Sequence, residues 1–571
     1  MVRRLTLLTI VLIFSAMTTA SVSVTAQEQE YDILIRNARV LDGTGNPWFS
    51  ADVAVVSDRI AAIGDLAAAR AKRVIDAAGL YLTPGFIDIH SHADDSIERL
   101  GGFRSEDPAR RAALNLVSQG VTTVVVNQDG RSLWPIAEQA QELRRRGIGP
   151  NAILLAGHGT IRRRVLGDDY KRPASAEEVA RMQAMVRQAM QEGAWGLSAG
   201  LEYVPGRWST TSEVVALVKE IAPHGVYISH QRSEGADPMW YWPTLDSAGV
   251  PTLIDAVLET IAIGERTGAT VVASHVKAKG AHYWGVSRAV INLIERARAR
   301  GVRVWADQYP YNTSGTDGNT ILLPRWLLRG QAGERKSLDY KALLQHALDD
   351  EQLRQRLQTD IAHEIRRRGG AENIVVFEHP VQAWVGKSLR QIAEMRGENV
   401  VQAAIALQLE GDAARFGGGR LRGFSMSEDD LHAYMVQPWV ATASDAGIAM
   451  PGDGPTHARF YGTFPRKIRR YVLEHGVITL EHALRSMTSL PATILGLRDR
   501  GMLRPGMKAD LVLFSLEKIR DRATFFEPHQ YAEGIEYVFI NGRAAVDDGE
   551  LTKALPGKVL TLDKDGMSGR K

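Results

Sequence analysis

The chain of 571 residues contains no cysteine. Without a thiol it cannot form disulfides, zinc ribbons or thiolate clusters, and it cannot use a cysteine nucleophile. Any metal ion must therefore be bound by histidine and carboxylate side chains. A large excess of one charge is also absent, because 69 Lys and Arg face 66 Asp and Glu, a formal net charge of +3. This balance gives no electrostatic basis for binding nucleic acid.

Long apolar runs are absent beyond the N-terminus, where one short run has the layout of a secretory signal peptide. Arg3 and Arg4 precede an apolar run at residues 5–17, and small residues occupy the −3 and −1 positions of a cleavage site after Ala26. The run is shorter than the roughly 20 residues of a membrane-spanning helix. We therefore expect residues 1–26 to be a cleaved signal peptide and the mature protein to be periplasmic or secreted, without a membrane span. The alternative is an uncleaved membrane anchor.

Both ends of the remaining chain alternate β-branched and polar residues, as short strands do. The N-terminal strands lie within residues 31–76, and the C-terminal strands lie in ADLVLFSLEKI and IEYVFINGRAAV. Because the two ends share this pattern, they predict one small β-sandwich domain built from residues 27–84 and 497–571.

Between these ends, eight apolar strand candidates alternate with amphipathic helical segments, which is typical of parallel βα units. The pattern predicts an α/β fold, a (β/α)8 TIM barrel over residues 85–496, with active-site groups at the carboxyl ends of its strands. A charged helical stretch before the last strand predicts an insertion at about residues 318–385. The strand candidates are residues 86–92, 122–129, 152–158, 194–200, 226–230, 270–275, 302–307 and 439–445.

Five of the eight strands end in a histidine or aspartate that could bind a metal ion, although strands inside a barrel are expected to be apolar. His90 and His92 are two positions apart, so both imidazoles project to the same side of the first strand. Each such residue taken alone has a structural explanation, such as a hydrogen-bonded histidine or a helix N-cap aspartate. Together, four histidines and two carboxylates at converging strand ends predict a site for a divalent, zinc-like ion. The six candidate ligands are His90, His92, Asp129, His230, His275 and Asp445.

The same residues lie in motifs that resemble a known family. The segments GFIDIHSHAD, YISHQRSEG, ASHVKAKG, DQYPYN and TASDAG resemble the amidohydrolase superfamily, and within it the N-acyl-D-amino acid deacylases, also called D-aminoacylases. The segments GAWGLSAGLEYVPG, THARFYGTFPR and VFINGR support that branch. The resemblance implies a metal-dependent hydrolase that splits the amide bond of N-acyl-D-amino acids into a carboxylate and a free D-amino acid.

One position departs from the family pattern. The second strand of these deacylases is expected to end in Asn-Cys-Gly, with the cysteine as a metal ligand, whereas this chain has Asp129 before Gly130. A carboxylate can replace the thiolate and can bridge two ions. Because oxygen is a harder ligand than sulfur, manganese, cobalt or nickel become candidates beside zinc, as one ion or two.

The resemblance also implies different roles for the six candidate ligands. Asp129, His230 and His275 would hold the tighter ion, and His90, His92 and Asp445 would face a second position. A metal-activated water would attack the acyl carbonyl, while Asp445 takes its proton and passes it to the leaving amine.

The substrate of such an enzyme carries a free carboxylate, which requires a cation and hydroxyl donors near the metal. Lys277, two residues past His275, is one candidate. Tyr309, at the end of the seventh strand, is a second, and it could donate to the tetrahedral oxyanion. Arg232, just after His230, is a third.

Other functions stay open at this level. One is a dipeptidase acting on peptides with a C-terminal D-residue. Another is a cyclic amidase of the dihydroorotase or hydantoinase kind, although the fourth strand, AWGLSAG, lacks the carboxylated lysine that many of these enzymes carry. A catalytically inert barrel used as a scaffold is the third, but such a protein would be expected to have lost ligands. The expected partner is a small N-acyl amino acid or a short peptide, and the oligomeric state stays open.

Overall fold

The computed structural model describes residues 30–94, 101–328 and 339–562. The predicted signal peptide, residues 1–26, lies outside these stretches. Within them, no helix is both long and apolar enough to cross a membrane.

Eight parallel strands form a closed barrel in the middle of the chain, which confirms the predicted α/β barrel. Each barrel strand pairs in parallel with the next one along the chain. The barrel closes where Asp445 N donates to His90 O at 2.8 Å and His92 N donates to Ala446 O at 2.9 Å. The strands are Phe86–Asp88, Val121–Val126, Asn151–Leu154 continued by Ala156–Gly157, Gly196–Gly200, Val226–His230, Thr270–Ala273, Val304–Gln308 and Val440–Thr442.

Apolar side chains of these strands divide between two buried clusters. One of the two includes Ile87, Val125, Ile153, Ile228 and Val272. The barrel is thus a packed core, and its carboxyl end is the place where ligands can converge.

Helices connect the strands, and their sequences explain where they begin. The helix Ala176–Gln191 starts with a capping box, in which Ser175 and Glu178 exchange side-chain-to-backbone hydrogen bonds, and it buries Met182 and Val186. The α-helices outside the insertion are Pro108–Arg111, Leu114–Val117, Ile136–Arg146, His158–Leu166, Ala176–Gln191, Thr211–Lys219, Leu253–Thr267, Ser287–Ala299, Glu428–Met435, Arg459–Arg466 continued by the π-helical turns Lys467–Glu474, Leu480–Met487 and Ser489–Leu495.

Strands from both chain ends share one nine-stranded sheet. The C-terminal strand Leu511–Phe514 pairs antiparallel with Tyr81–Pro84, the strand just before the barrel. A further short strand, Val559–Leu560, is not part of this sheet. It pairs in parallel with Ala152 and Ile153 on the third barrel strand. The sheet strands are Tyr31–Val40, Phe49–Val56, Arg59–Gly64, Ala71–Asp76, Tyr81–Pro84, Leu511–Phe514, Ile535–Ile540, Arg543–Asp547 and Glu550–Leu551.

The long connection between the seventh and eighth barrel strands carries a largely helical insertion with its own apolar core. Its α-helices are Tyr340–Asp349, Glu351–Arg367, Leu389–Arg396 and Val400–Leu409. Its two strands, Ile374–Glu378 and Arg420–Gly423, pair antiparallel. Arg420 and Arg422 on the second of these strands reach the cavity described next.

Candidate active site

The structure brings all six predicted ligands together at the carboxyl ends of the barrel strands. Each is buried, with 8% of its surface exposed or less. Three of them, Asp129, His275 and Asp445, have φ angles of 57°, 34° and 50°. This left-handed conformation is unfavourable for residues other than glycine, by about 1 kcal/mol or more. Three of the six candidate ligands thus have a strained backbone conformation, and such conformations cluster at functional sites.

One group of candidate ligands consists of His90, His92 and Asp445. His92 Nε2 lies 3.0 Å from Asp445 Oδ1 and 3.2 Å from His90 Nε2. His90 Nε2 lies 3.5 Å from the same Asp445 oxygen. A tetrahedral ion with bonds of about 2.1 Å holds its ligand atoms about 3.4 Å apart. The spacing of the three atoms therefore suits a shared ion.

A second group is built from His230 and His275, whose Nδ1 and Nε2 atoms lie 3.1 Å apart. Asp129 stands between the two groups, with Oδ1 3.8 Å from His275 Nε2 and 3.7 Å from His90 Nε2. Its other oxygen, Oδ2, is 3.7 Å from His92 Nε2. Asp129 Oδ1 is buried and has no hydrogen-bond partner among the described residues. A buried carboxylate oxygen of this kind, surrounded by ring nitrogens, fits a cation.

Hydrogen bonds behind two of the histidines, His90 and His230, orient their rings toward the centre of the site. His90 Nδ1 lies 2.5 Å from Ser274 Oγ, which in turn donates to Asp307 Oδ2 at 2.9 Å. His230 Nε2 lies 2.9 Å from Glu202 Oε2. In the tautomer whose outer nitrogen donates to these partners, the inner nitrogen offers a lone pair to the centre, which is the arrangement of metal-bound histidines. Burial raises the pKa of Asp307 to about 6.

The charges of the site keep its central carboxylates ionised. Burial opposes ionisation of Asp445, but the charge of Arg459 and the hydrogen bond with His92 hold its pKa well below the ordinary value. Burial likewise opposes ionisation of Asp129, and the imidazoles of His275 and His230 lower its pKa. Both carboxylates are therefore available as anionic ligands or proton acceptors near neutral pH.

A cavity of about 470 Å³ opens directly above these groups. Its wall includes five of the six candidate ligands; His90 lies beneath them. The insertion also lines the cavity, at Arg422, and so does the segment after the eighth strand, at His457 and Arg459. The volume suits a ligand of the size of a modified amino acid.

The sequence pattern of the amidohydrolase family matches residues 73–240 and 342–546. The chain is 31% identical to a D-aminoacylase of Alcaligenes xylosoxydans xylosoxydans over 560 residues, covering 94% of this chain and 98% of that protein. It is 32% identical to the N-acyl-D-glutamate deacylase of the same organism, with the same coverage. The chain belongs to the amidohydrolase family. The resemblance expected from its motifs is thereby confirmed.

Solved structures agree with this membership. The N-acyl-D-glutamate deacylase from Bordetella bronchiseptica, complexed with zinc and a phosphonate inhibitor, is 31% identical to this amidohydrolase. That structure matches with a TM-score of 0.70 and covers 94% of this chain and 100% of its own. A D-aminoacylase structure from work on its binuclear metal centre is 30% identical, with a TM-score of 0.69, over 93% of this chain and 100% of its own.

Two of the three predicted substrate contacts of the amidohydrolase lie at or beside the cavity. Lys277 lines it, and its Nζ donates to Glu234 Oε1 at 2.5 Å. Tyr309 is buried just behind, with its ring 5.4 Å from Lys277 Nζ. Arg232 is not brought to the cavity. Its guanidinium donates to both oxygens of Glu259 at 2.8 and 2.9 Å, because the strand ends at His230 and strand alternation no longer directs the side chain two residues later.

Residues that sequence reasoning missed complete the site of this amidohydrolase. Arg459 Nη1 lies 2.8 Å from Asp445 Oδ2. Glu234 Oε1 lies 3.1 Å from His275 Nδ1, and Glu234 forms a third possible ligand group with His230 and His275. Glu234 follows His230 by four residues within the motif YISHQRSEG, and Arg459 lies in THARFYGTFPR, so both were inside recognised motifs without an assigned role.

Proposed function

We propose that this amidohydrolase hydrolyses the amide bond of N-acyl-D-amino acids, releasing a carboxylate and a free D-amino acid. The observation that carries the proposal is the convergence of Asp445, a buried set of metal-ligand atoms and Arg459 at the base of one cavity. The full-length similarity to deacylases of N-acyl-D-amino acids supports the substrate class. The preference for D over L substrates rests on those relatives.

The metal would be held by the residues that converge on Asp129. In the proposed arrangement Asp129, His230 and His275 bind the tighter ion, and His90, His92 and Asp445 offer a second position. A divalent ion bound there supplies Lewis-acid activation of water and polarisation of the acyl carbonyl. We assign zinc first, as in the Bordetella relative, with manganese, cobalt and nickel as alternatives because Asp129 supplies oxygen rather than sulfur.

Asp445 is placed for proton transfer in this reaction. One of its oxygens faces His92 and the candidate metal position, and the other faces Arg459. It can accept a proton from the attacking water and deliver it to the leaving nitrogen. The second step is required because an amine leaves poorly unless it is protonated.

Cations around Asp445 suit the carboxylate of the amino acid. The α-carboxylate is one carbon away from the leaving nitrogen, so it must lie beside the residue that protonates this nitrogen. Arg459 occupies that place. Lys277 is the second proposed contact, on the side of His275, with Tyr309 supporting it from behind. Arg232 is left out of the proposal because Glu259 engages it.

A hydrolysis screen with parallel elemental analysis tests this function. Paired D and L forms of N-acetyl amino acids are compared with L-Xaa-D-Xaa dipeptides and with hydantoins. We expect turnover of the D acyl amino acids with one or two divalent ions per chain. Preferential turnover of dipeptides or hydantoins would show a dipeptidase or a cyclic amidase instead. A protein that stays inactive after addition of zinc, cobalt and manganese would favour the catalytically inert scaffold.

We also propose that the enzyme is exported after cleavage near Ala26. The support is the basic, apolar and small-residue order of residues 1–26. N-terminal sequencing of protein from the extracytoplasmic fraction tests it, and a chain that still begins at Met1 would contradict it.

A further inference from the structure

Arg422 is a buried cation that lines the cavity, and among the described residues no carboxylate forms an ion pair with it. It lies on the insertion strand Arg420–Gly423 and is 4% exposed. Its Nη1 atom is buried and has no hydrogen-bond partner among the residues that the structure describes. A buried guanidinium without an acceptor is costly, since the desolvation of its N–H groups is not compensated.

Three neighbouring cations of the cavity differ from Arg422 because each of them pairs with a carboxylate. Lys277 pairs with Glu234 at 2.5 Å, Arg459 with Asp445 at 2.8 Å, and Arg420 with Glu378 at 2.7 Å. Burial lowers the pKa of Arg422 to about 10, so its side chain is still charged at neutral pH. Arg422 therefore brings to the cavity a positive charge that no carboxylate of the described residues neutralises by direct contact.

The nearby carboxylate of Asp317 is not available to Arg422. Asp317 Oδ1 accepts from Arg368 at 2.7 Å. Its Oδ2 accepts from Ser314 at 2.8 Å and from Ser425 at 2.6 Å. Both oxygens of Asp317 are thus engaged elsewhere, and its charge acts on Arg422 without a hydrogen bond between the two.

The guanidinium of Arg422 is nevertheless held in one place. It lies 4.7 Å from the centre of the Phe525 ring, a cation–π contact. A Cβ added to Gly318 would lie 2.6 Å from its Nη2, so the guanidinium packs closely against this glycine. A packed guanidinium with an unused donor is suited to bind an anion.

His457 separates this site from Arg459. Its Nε2 donates to Thr313 O at 3.0 Å, and its Nδ1 accepts from Arg459 N at 3.0 Å. Burial, followed by the charges of Arg422 and Arg459, holds the pKa of His457 well below its ordinary value. A neutral His457 therefore leaves the two arginines as adjacent, distinct cations on one wall.

We propose that Arg422 binds a second anionic group on the substrate, carried by the side chain of the D-amino acid, so that the preferred substrates are N-acyl derivatives of D-glutamate or D-aspartate. The α-carboxylate and the side chain are attached to the same carbon. The cation next to Arg459 therefore faces the side chain, whereas the acyl group extends from the scissile bond toward the metal ligands. This inference rests on the function proposed above.

The experiment compares kcat/KM for N-acetyl-D-glutamate with that for N-acetyl-D-glutamine, which has the same shape without the charge. We expect the acidic substrate to be preferred by about 100-fold, because a buried donor left without its acceptor penalises the amide. In Arg422→Met this ratio falls to within about 3-fold of one, and Arg422→Lys restores part of it. Arg420→Met is the matched control on the same strand, and its ratio stays near that of the wild type because Glu378 already pairs with Arg420.

The outcomes separate the inference from the proposed function. Equal turnover of N-acetyl-D-glutamate and N-acetyl-D-glutamine by the wild type would overturn the inference and leave the deacylase function in place. A preference for N-succinyl-D-alanine over N-acetyl-D-glutamate would overturn the assignment of the anion to the side chain. Failure to hydrolyse any N-acyl-D-amino acid would overturn the proposed function itself. If Arg422→Met does not fold, the test is the ratio of kcat/KM for N-acetyl-D-glutamate to that for N-acetyl-D-glutamine, measured in the wild type and in Arg422→Lys.

Discussion

Lys467 provides a sharp test of the energetics of this barrel. It lies 1% exposed in the turns Lys467–Glu474, and its Nζ donates to Thr442 Oγ1 and Ser486 Oγ, each at 2.9 Å. Burial alone lowers its pKa from the ordinary 10.5 to about 7. The unfolded chain therefore binds this proton more tightly than the folded protein does. Between pH 7 and 10.5 the contribution of Lys467 to the stability therefore rises with pH, by up to about 1.4 kcal/mol per unit.

The magnitude follows from the two pKa values. The cost of burying Lys467 is about 4.5 kcal/mol at pH 6.5, about 3 kcal/mol at pH 8 and about 1.5 kcal/mol at pH 9.5. Replacing Lys467 with Met, which has a similar length, removes this cost. The hydroxyls left behind stay paired, because Thr442 Oγ1 and Ser486 Oγ lie 2.9 Å apart. We therefore expect Lys467→Met to be more stable than the wild type, and most clearly so at low pH.

The assay is calorimetric unfolding of both proteins at pH 6.5, 8 and 9.5. For a chain of this length, 1 kcal/mol corresponds to about 1 °C in Tm. The gap between variant and wild type should shrink by about 3 °C from pH 6.5 to 9.5. Lys518→Met, at a lysine whose side chain is 68% exposed, is the control and should show no such trend. A gap independent of pH, or a wild type more stable than Lys467→Met at pH 6.5, would refute the reasoning.

Four further variants test other parts of the structure. Asp445→Asn should keep most of the metal, measured by elemental analysis, while kcat falls by about 10²-fold or more; near-normal turnover would remove Asp445 as the proton carrier. His230→Ala should instead lose bound metal, and full metal content would contradict its role as a ligand. Asp129→Cys should shift competition between zinc and manganese toward zinc, because a thiolate is softer; an unchanged ratio would argue that position 129 does not contact the ion. Arg162→Met should lower the stability by about 3 to 5 kcal/mol, measured by the same calorimetry, since it leaves the buried Glu213 with only His158 as an ionisable partner; an unchanged Tm would contradict this.

The barrel was predictable because its strands are largely apolar runs whose histidines and aspartates lie toward their carboxyl ends. The alternation of side chains put His90 and His92 on one face, and the convergence of strand ends then gathered Asp129, His275 and Asp445 from distant positions. These inferences need only the local period and the topology.

The remaining part of the site depends on segments outside the barrel strands. The alternation of side chains along those strands says nothing about where these segments lie. Arg232 follows directly after a strand, yet it turns to Glu259. Arg459 begins the helix Arg459–Arg466 after the last barrel strand, and Arg422 lies on the insertion strand Arg420–Gly423. Only the packing of those segments brings the two arginines to the cavity. No spacing rule connects Arg422 with His457, although the two lie at one wall.

The short strand Val559–Leu560 has a consequence for the order of folding. It adds to the wall of the barrel beside Asn151–Leu154, and Asn151 Oδ1 accepts from Lys558 N across a separation of 407 residues. Such distant pairing is slow to form, because the intervening chain must be ordered first. The third strand therefore lacks this neighbour until almost the entire polypeptide has been made. Until then the nascent chain exposes an unpaired strand edge, the kind of surface that favours chaperone binding or aggregation.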